Sequence, residues 1–178
     1  MRFLSQKNSQ RLLFAFLFLL IFVIKNYVLL VYGLLFYLSY EYLNNNKKYL
    51  EIRNHTIYNW LFPGFIMFVI LVRSKWFFIS ESIDYHLNTV EHLFFASVVC
   101  LTLRIYFQIF NVLTSTIKSL LLVFIVFNLI GLANEYFQNF FQHTPILLLE
   151  EGDVKDIYVN LAGSVLYLVI ASISRIKI

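Results

Sequence analysis

The chain has 178 residues, of which 60% are hydrophobic and 13% charged, with a mean hydropathy of +0.74. Soluble domains carry about 25% charged residues, so this chain has too few charges to cover a water-facing surface, and lipid is the solvent that fits. The net charge of +4 does not mark a nucleic-acid reader, because the basic residues sit in short clusters between apolar runs (Lys47-Lys48, Arg73 to Lys75, Arg175 to Lys177) instead of lining one groove-reading face.

The chain opens with Arg2, Lys7 and Arg11 ahead of the apolar run Leu12 to Ile24. This resembles a signal peptide, but no small-x-small cleavage site accompanies Lys25-Asn26-Tyr27, so an uncleaved first helix is expected. That run is 13 residues long, about 20 Å of helix, and Tyr27 to Leu43 follows it. Two readings are open: a hairpin turning at Lys25-Asn26, or one tilted helix of about 48 Å with a snorkelling Lys25.

Further spans are expected at Ile57 to about Trp76, Leu93 to Leu113, Ile117 to Ala133 and Ile157 to Ser174. Charge separates the two readings of the first run. With a hairpin and a cytoplasmic N-terminus, the inner side holds nine basic residues (Arg2, Lys7, Arg11, Lys47, Lys48, Arg53, Lys118, Arg175, Lys177) and the outer side four (Lys25, Arg73, Lys75, Lys155). With a single helix the split is six against six. Orientation follows the Lys/Arg bias of short loops, which favours the hairpin. The expected fold is all-α: an integral membrane helical bundle of about six transmembrane helices in the plasma (inner) membrane, with N- and C-termini cytoplasmic. Residues 1–54 would form a transmembrane hairpin and cytoplasmic loop, and residues 55–178 a four-helix membrane domain.

Trp60 and Trp76 bracket the third span about 24 Å apart, as interfacial aromatic belts do. Pro63 is expected in that helix's first turn or two, where a missing donor costs least. Eight of the ten acids (Glu81, Asp84, Glu91, Glu135, Glu150, Glu151, Asp153, Asp156) fall in two outer loops, so chemistry is expected at the extracytoplasmic end. Cys100 is the only cysteine, which rules out an internal disulfide.

Polar residues inside apolar helices are the informative ones. Glu135 and Gln138 share a face at the outer end of the fifth span, while Asp156, Asn160 and Gly163 form a stripe at the outer end of the sixth. Antiparallel neighbours would bring these faces together, with Gly163 allowing close backbone approach. A structural reading stands beside the ligand-binding one, since both carboxylates lie near headgroups and Asp156 is placed to cap a helix. Arg104, Gln108 and Asn111 form an i, i+4, i+7 stripe expected to face the interior, where Asn128 could meet it; alternatively Arg104 snorkels to the interface. Glu91-His92 and Asp84-Tyr85-His86 lack metal-ligand spacing, and neither Gly-x-Ser-x-Gly nor a phosphate loop occurs. No metal and no cofactor are expected.

The pattern Glu135-x-x-Gln138, a loop, then Asp156-x-x-x-Asn160-x-x-Gly163 resembles the signature of VanZ-like membrane proteins, with His92 at the place of a family histidine. The similarity covers roughly Ile57 to Ser174, so residues 55–178 would be the VanZ-like domain. It departs in having no Arg between Gln138 and Asp156, where Lys155 is the basic residue closest to the pattern, and in having Asn88 and Thr89 before His92. The resemblance implies a role in the cell envelope, in resistance to teicoplanin-type lipoglycopeptide antibiotics, by an undefined mechanism. Candidate ligand-binding residues are Glu135, Gln138, Asp156, Asn160, His92 and Arg104, with Gly163 structural. The expected partners are membrane lipids and amphiphilic or lipid-linked small molecules, not nucleic acid. Two other expectations stand. One is an intramembrane transferase or hydrolase on a lipid-linked phosphate, with His92 or Glu135 as base and Arg104 or Lys155 on the phosphate. The other is a transporter relaying through Arg104, Gln108, Asn111 and Asn128.

Overall fold

The computed structural model describes residues 2–51, 55–73, 81–112, 116–141 and 151–173, and within these the side chains of 7–27, 29–51, 58–72, 86–112, 117–137 and 151–172. Every regular element among the described residues is an α-helix: α1 (Arg2–Val23), α2 (Tyr27–Asn44), α3 (Lys47–Leu50), α4 (His55–Arg73), α5 (Glu81–Ile109), α6 (Thr116–Phe141) and α7 (Glu151–Ile173). The side chains of Arg2, Arg53, Arg73, Lys75, Trp76, Gln138, Arg175 and Lys177, and residues 74–80 and 142–150, lie outside the described residues. The chain divides into two compact units, one running to Asp84 and one spanning Tyr85–Lys177.

In the first unit, residues 12–43 fold as two helices because the Lys25-Asn26 turn both ends one and starts the other. Lys25 takes a left-handed φ of 55°. Its N–H bonds the Phe22 carbonyl at 3.1 Å, and that of Asn26 bonds Ile21 at 3.3 Å, the Schellman pattern that closes a helix. Asn26 then caps α2, its Oδ1 accepting from the Leu29 N–H at 2.9 Å. The hairpin is antiparallel. Arg11 grips Glu41 with two bonds, Nε to Oε1 at 2.6 Å and Nη2 to Oε2 at 2.7 Å. One turn on, Phe14 stacks edge-on against Tyr37 with centroids 5.3 Å apart. α3 knits the far end to α4: the buried Tyr49 donates to Asn59 Oδ1 at 2.7 Å, and the Asn44 and Asn59 amides exchange bonds of 3.0 and 2.8 Å. Although the sequence reading grouped α4 with the C-terminal helices, α4 packs on α1 and α2. Pro63 lies just past the second turn of α4, further in than expected, between the buried Phe62 and Phe65.

In the second unit, Asn88 meets Asp156 and His92 meets Asn160. Both numbers rise together, so α5 and α7 run parallel. Asn128 of α6 donates to Ser164 of α7 at 3.1 Å, and Gly131 faces Asn160; here one number rises as the other falls, so α6 is antiparallel to α7. Ala96, Cys100, Val123 and Phe127 form the apolar centre, flanked by Phe95, Leu103 and Tyr167. α5 stops earlier than the apolar run that continues to Leu113. Asn111 takes a φ of 52°, while the Val112 and Asn111 N–H groups bond Phe107 and Gln108 at 2.9 and 3.1 Å, a second Schellman closure.

Among the described residues, three helical segments are long and apolar enough to cross a membrane: His86–Ile109, Ile117–Phe137 and Glu151–Ser172. At 21 to 24 residues they measure about 32 to 36 Å, enough for a hydrocarbon core of about 30 Å. α4 adds a shorter apolar stretch, Tyr58–Val72. The expected count of six spans is thus carried by length and composition for three. Large apolar side chains are exposed along them, Ile117 at 79% and Leu129 at 61%, as lipid-facing surfaces require.

Candidate functional site

The polar residues gather where the N-terminal ends of α5 and α7 meet the C-terminal end of α6. On α5, Asn88 and His92 are four residues apart and therefore share a face; on α7, Asp156 and Asn160 do the same. The parallel register sets these pairs side by side. His92 Nε2 lies 3.2 Å from Asp156 Oδ2, and its Nδ1 lies 3.3 Å from Asn160 Oδ1. Asn88 Nδ2 donates to the other Asp156 oxygen at 3.1 Å. The imidazole is therefore flanked by oxygen acceptors on both ring nitrogens, an arrangement that accommodates the doubly protonated ring, because each nitrogen then donates. The His92 and Asp156 side chains are 14% and 23% exposed, so the pair is sheltered yet reachable.

Glu135 comes to the same layer from α6. The antiparallel register that pairs Asn128 with Ser164 carries Glu135 opposite Asp156, and it interacts electrostatically with both Asp156 and His92. It is only 2% exposed and accepts a bond from Asn134 Nδ2 at 3.2 Å. One imidazole thus stands among two carboxylates, with three amides supplying donors and acceptors. Such a cluster is able to hold a polar headgroup or to pass a proton, the imidazole–carboxylate pair being a common acid–base element.

The candidate residues are not all brought together. His92, Asp156 and Asn160 touch, with Glu135 facing them, whereas the Gln138 side chain lies outside the described residues. Asp156 and Asn160 make their side-chain bonds to α5, not across the α6·α7 contact where the sequence reading placed them. Gly163 likewise serves a different neighbour: a Cβ there would sit 2.7 Å from Ala96 Cβ and 3.5 Å from Leu93 Cα, both on α5. The glycine that faces α7 from α6 is Gly131, next to Asn160.

Arg104 lies twelve residues beyond His92 on α5, about 18 Å deeper and about a third of a turn away around the helix, and does not join the cluster. Its side chain is folded into the protein at 4% exposure instead of reaching outward. The stripe expected to continue through Gln108 to Asn111 is broken, because the helix has ended by Asn111, which is exposed. Asn128 turns to Ser164, so the expected relay is not assembled. Among the described residues no group of three His, Cys, Asp or Glu is placed to hold one metal ion.

Sequence reasoning missed three contributors. Asn88 appeared only as a departure from a pattern, although its four-residue spacing to His92 mirrors that of Asp156 to Asn160. Asn134 was overlooked beside Glu135. The Asn128–Ser164 bond requires the α6·α7 register, which no short motif announces. In comparisons with family models, curated proteins and solved structures, nothing matches the chain.

Proposed function

We propose that this chain is a multi-pass plasma-membrane protein that receives the polar head of an amphiphilic, lipid-linked molecule at the cluster of His92, Asp156, Asn160 and Glu135. The observation that supports it is the pairing of His92 with Asp156 and Asn160 across two parallel helices, beside a carboxylate buried to 2% exposure. Charged and amide groups at membrane depth are costly and are retained where they bind or transport. On this reading α1, α2 and α4 also cross the membrane, giving six spans with both termini cytoplasmic and the cluster on the outer face. The Lys/Arg distribution supports that orientation. The VanZ-like pattern of Glu135, Asp156, Asn160 and Gly163 supports a role in envelope protection against lipoglycopeptide antibiotics. The test is expression in a susceptible bacterium. Asp156→Ala and Glu135→Ala abolish protection at unchanged membrane abundance, and full protection by the double variant removes the cluster from the function.

A second reading, an intramembrane transferase or hydrolase on a lipid-linked phosphate, is favoured by one observation. His92 and Asp156 lie at 3.2 Å, within the range of direct proton transfer. In that reading His92→Gln eliminates turnover of a polyprenyl-phosphate substrate, while binding of the same lipid is retained.

A further inference from the structure

Beside the α5·α7 contact runs an open groove of about 620 Å³, bounded by His86 and Leu93 of α5 and by Glu151, Lys155, Val159 and Ala162 of α7. It uses different side chains from the polar cluster. Its layers follow from the parallel register, in which Asn88 is level with Asp156 and His92 with Asn160. His86 therefore lies level with the Lys155 turn, and Leu93 with Ala162. Glu151 stands one helical turn, about 6 Å, nearer the end of the helix than Lys155, on the same face. Going inward, the groove presents a carboxylate, then an ammonium beside an imidazole, then apolar walls.

A phosphoethanolamine lipid carries the complementary groups in that order: ammonium outermost, phosphate next, hydrocarbon beneath. The geometry points to this groove as a binding site for a phosphatidylethanolamine, its primary ammonium on Glu151, its phosphate at Lys155 and His86, and one acyl chain along Leu93, Val159 and Ala162. The headgroup selectivity has a chemical basis. A carboxylate only accepts hydrogen bonds, so a primary ammonium makes a charge-assisted bond to Glu151, which a trimethylated choline has no N–H to form. A glycerol head offers Glu151 no cation at all. This inference goes beyond the proposed function, since it involves none of His92, Glu135, Asp156 or Asn160 and requires only that α5 and α7 lie in lipid.

The full-length protein, purified in detergent, is mixed with dioleoyl phosphatidylethanolamine, phosphatidylcholine and phosphatidylglycerol, and retained lipid is counted by native mass spectrometry. Ethanolamine lipid is expected to be retained about threefold over the other two, as the one exposed ionic contact that separates them, ammonium to Glu151, supplies. The decisive variant exchanges the charges, Glu151→Lys with Lys155→Glu. It keeps an opposite pair one turn apart, so a role confined to pairing within the helix predicts no change, whereas the lipid site predicts loss of the preference. Glu151→Gln and Lys155→Gln read the two contacts singly if the exchange does not accumulate: the first removes the preference for ethanolamine lipid, and the second lowers retention of all three lipids about twofold and leaves the preference in place. Glu135→Ala, which tests the polar cluster, keeps the lipid preference while losing protection, so the two readings fail separately. Equal retention of the three lipids by the wild type, or an unchanged preference in the exchanged variant, overturns the site.

Discussion

Gly163→Ala is the sharpest perturbation of this architecture. The added methyl carbon would lie 2.7 Å from Ala96 Cβ, whereas carbon atoms pack best at about 3.5 to 4.0 Å. Ala96 Cβ is fixed to the backbone and cannot rotate away, so α5 and α7 must separate by about 1 Å at this level. One turn away, the His92 contacts to Asp156 and Asn160 are 3.2 and 3.3 Å. A comparable displacement carries them past 4 Å, where a hydrogen bond no longer exists. Overpacking of this kind costs about 1 to 3 kcal/mol. Unfolding in mixed micelles should therefore show Gly163→Ala destabilised by that amount, and ¹⁵N spectra should show His92 released from its partners. Two controls isolate the cause. At Gly131 the same methyl meets nothing closer than 3.6 Å, so Gly131→Ala is tolerated. Ala96→Gly combined with Gly163→Ala returns the missing space and recovers part of the loss, less about 1 kcal/mol for a glycine inside a helix. If Gly163→Ala unfolds like the wild type and Ala96→Gly rescues nothing, the close crossing of α5 and α7 is wrong.

Three further outcomes follow from the first unit. Lys25 holds a left-handed backbone that suits glycine, so Lys25→Gly should stabilise the hairpin by about 1 kcal/mol in thermal unfolding; a destabilised variant argues against the turn. Asn59→Ala removes the shared partner of Asn44 and the buried Tyr49 and should cost about 1 to 3 kcal/mol by leaving polar groups unsatisfied, more than Tyr49→Phe, which loses one bond; equal losses would place the network elsewhere. Burial pushes the Tyr49 phenol above its ordinary range. Its contribution is therefore complete below the unfolded phenol's pKa, about 10, and falls as pH rises beyond it towards the folded value. Tyr49→Phe should flatten the alkaline limb of a stability–pH curve above about pH 10, and an unchanged limb refutes this.

Much of the helical framework was legible because membrane helices declare themselves by apolar length. Leu93, Ile117 and Ile157 each opened an expected span that the structure places inside α5, α6 and α7. At Lys25-Asn26 the sequence allowed a hairpin or one tilted helix, the Lys/Arg distribution favoured the hairpin, and the structure has two helices there. What composition does not encode is where a helix closes. Asn111 continues a plausible polar stripe by spacing alone, yet a left-handed asparagine is also a helix stop, and here the stop prevails. Neither does composition show which helices pack. α4 is as apolar as its successors, but its Asn59 finds Asn44 and Tyr49, and those bonds fix it to the hairpin.

The candidate site was half legible for a related reason. Its residues stood out because an acid, an amide or a histidine at membrane depth is conspicuous, and His92, Glu135, Asp156 and Asn160 were all visible on that ground. Their partners were assigned by chain order, which pairs α6 with α7 through the connecting loop and leaves α5 out. Two signals pointed to α5. Asn88 and His92 repeat the four-residue spacing of Asp156 and Asn160, and the same face of α5 continues into Ala96 just as that of α7 continues into Gly163. Small residues meet small residues where helices cross closely in lipid, so matching Ala96 to Gly163 fixes a parallel register in which the two polar pairs fall side by side. The small residues set the distance and the polar pairs above them inherit it, which is why a methyl group at Gly163 should be felt at His92.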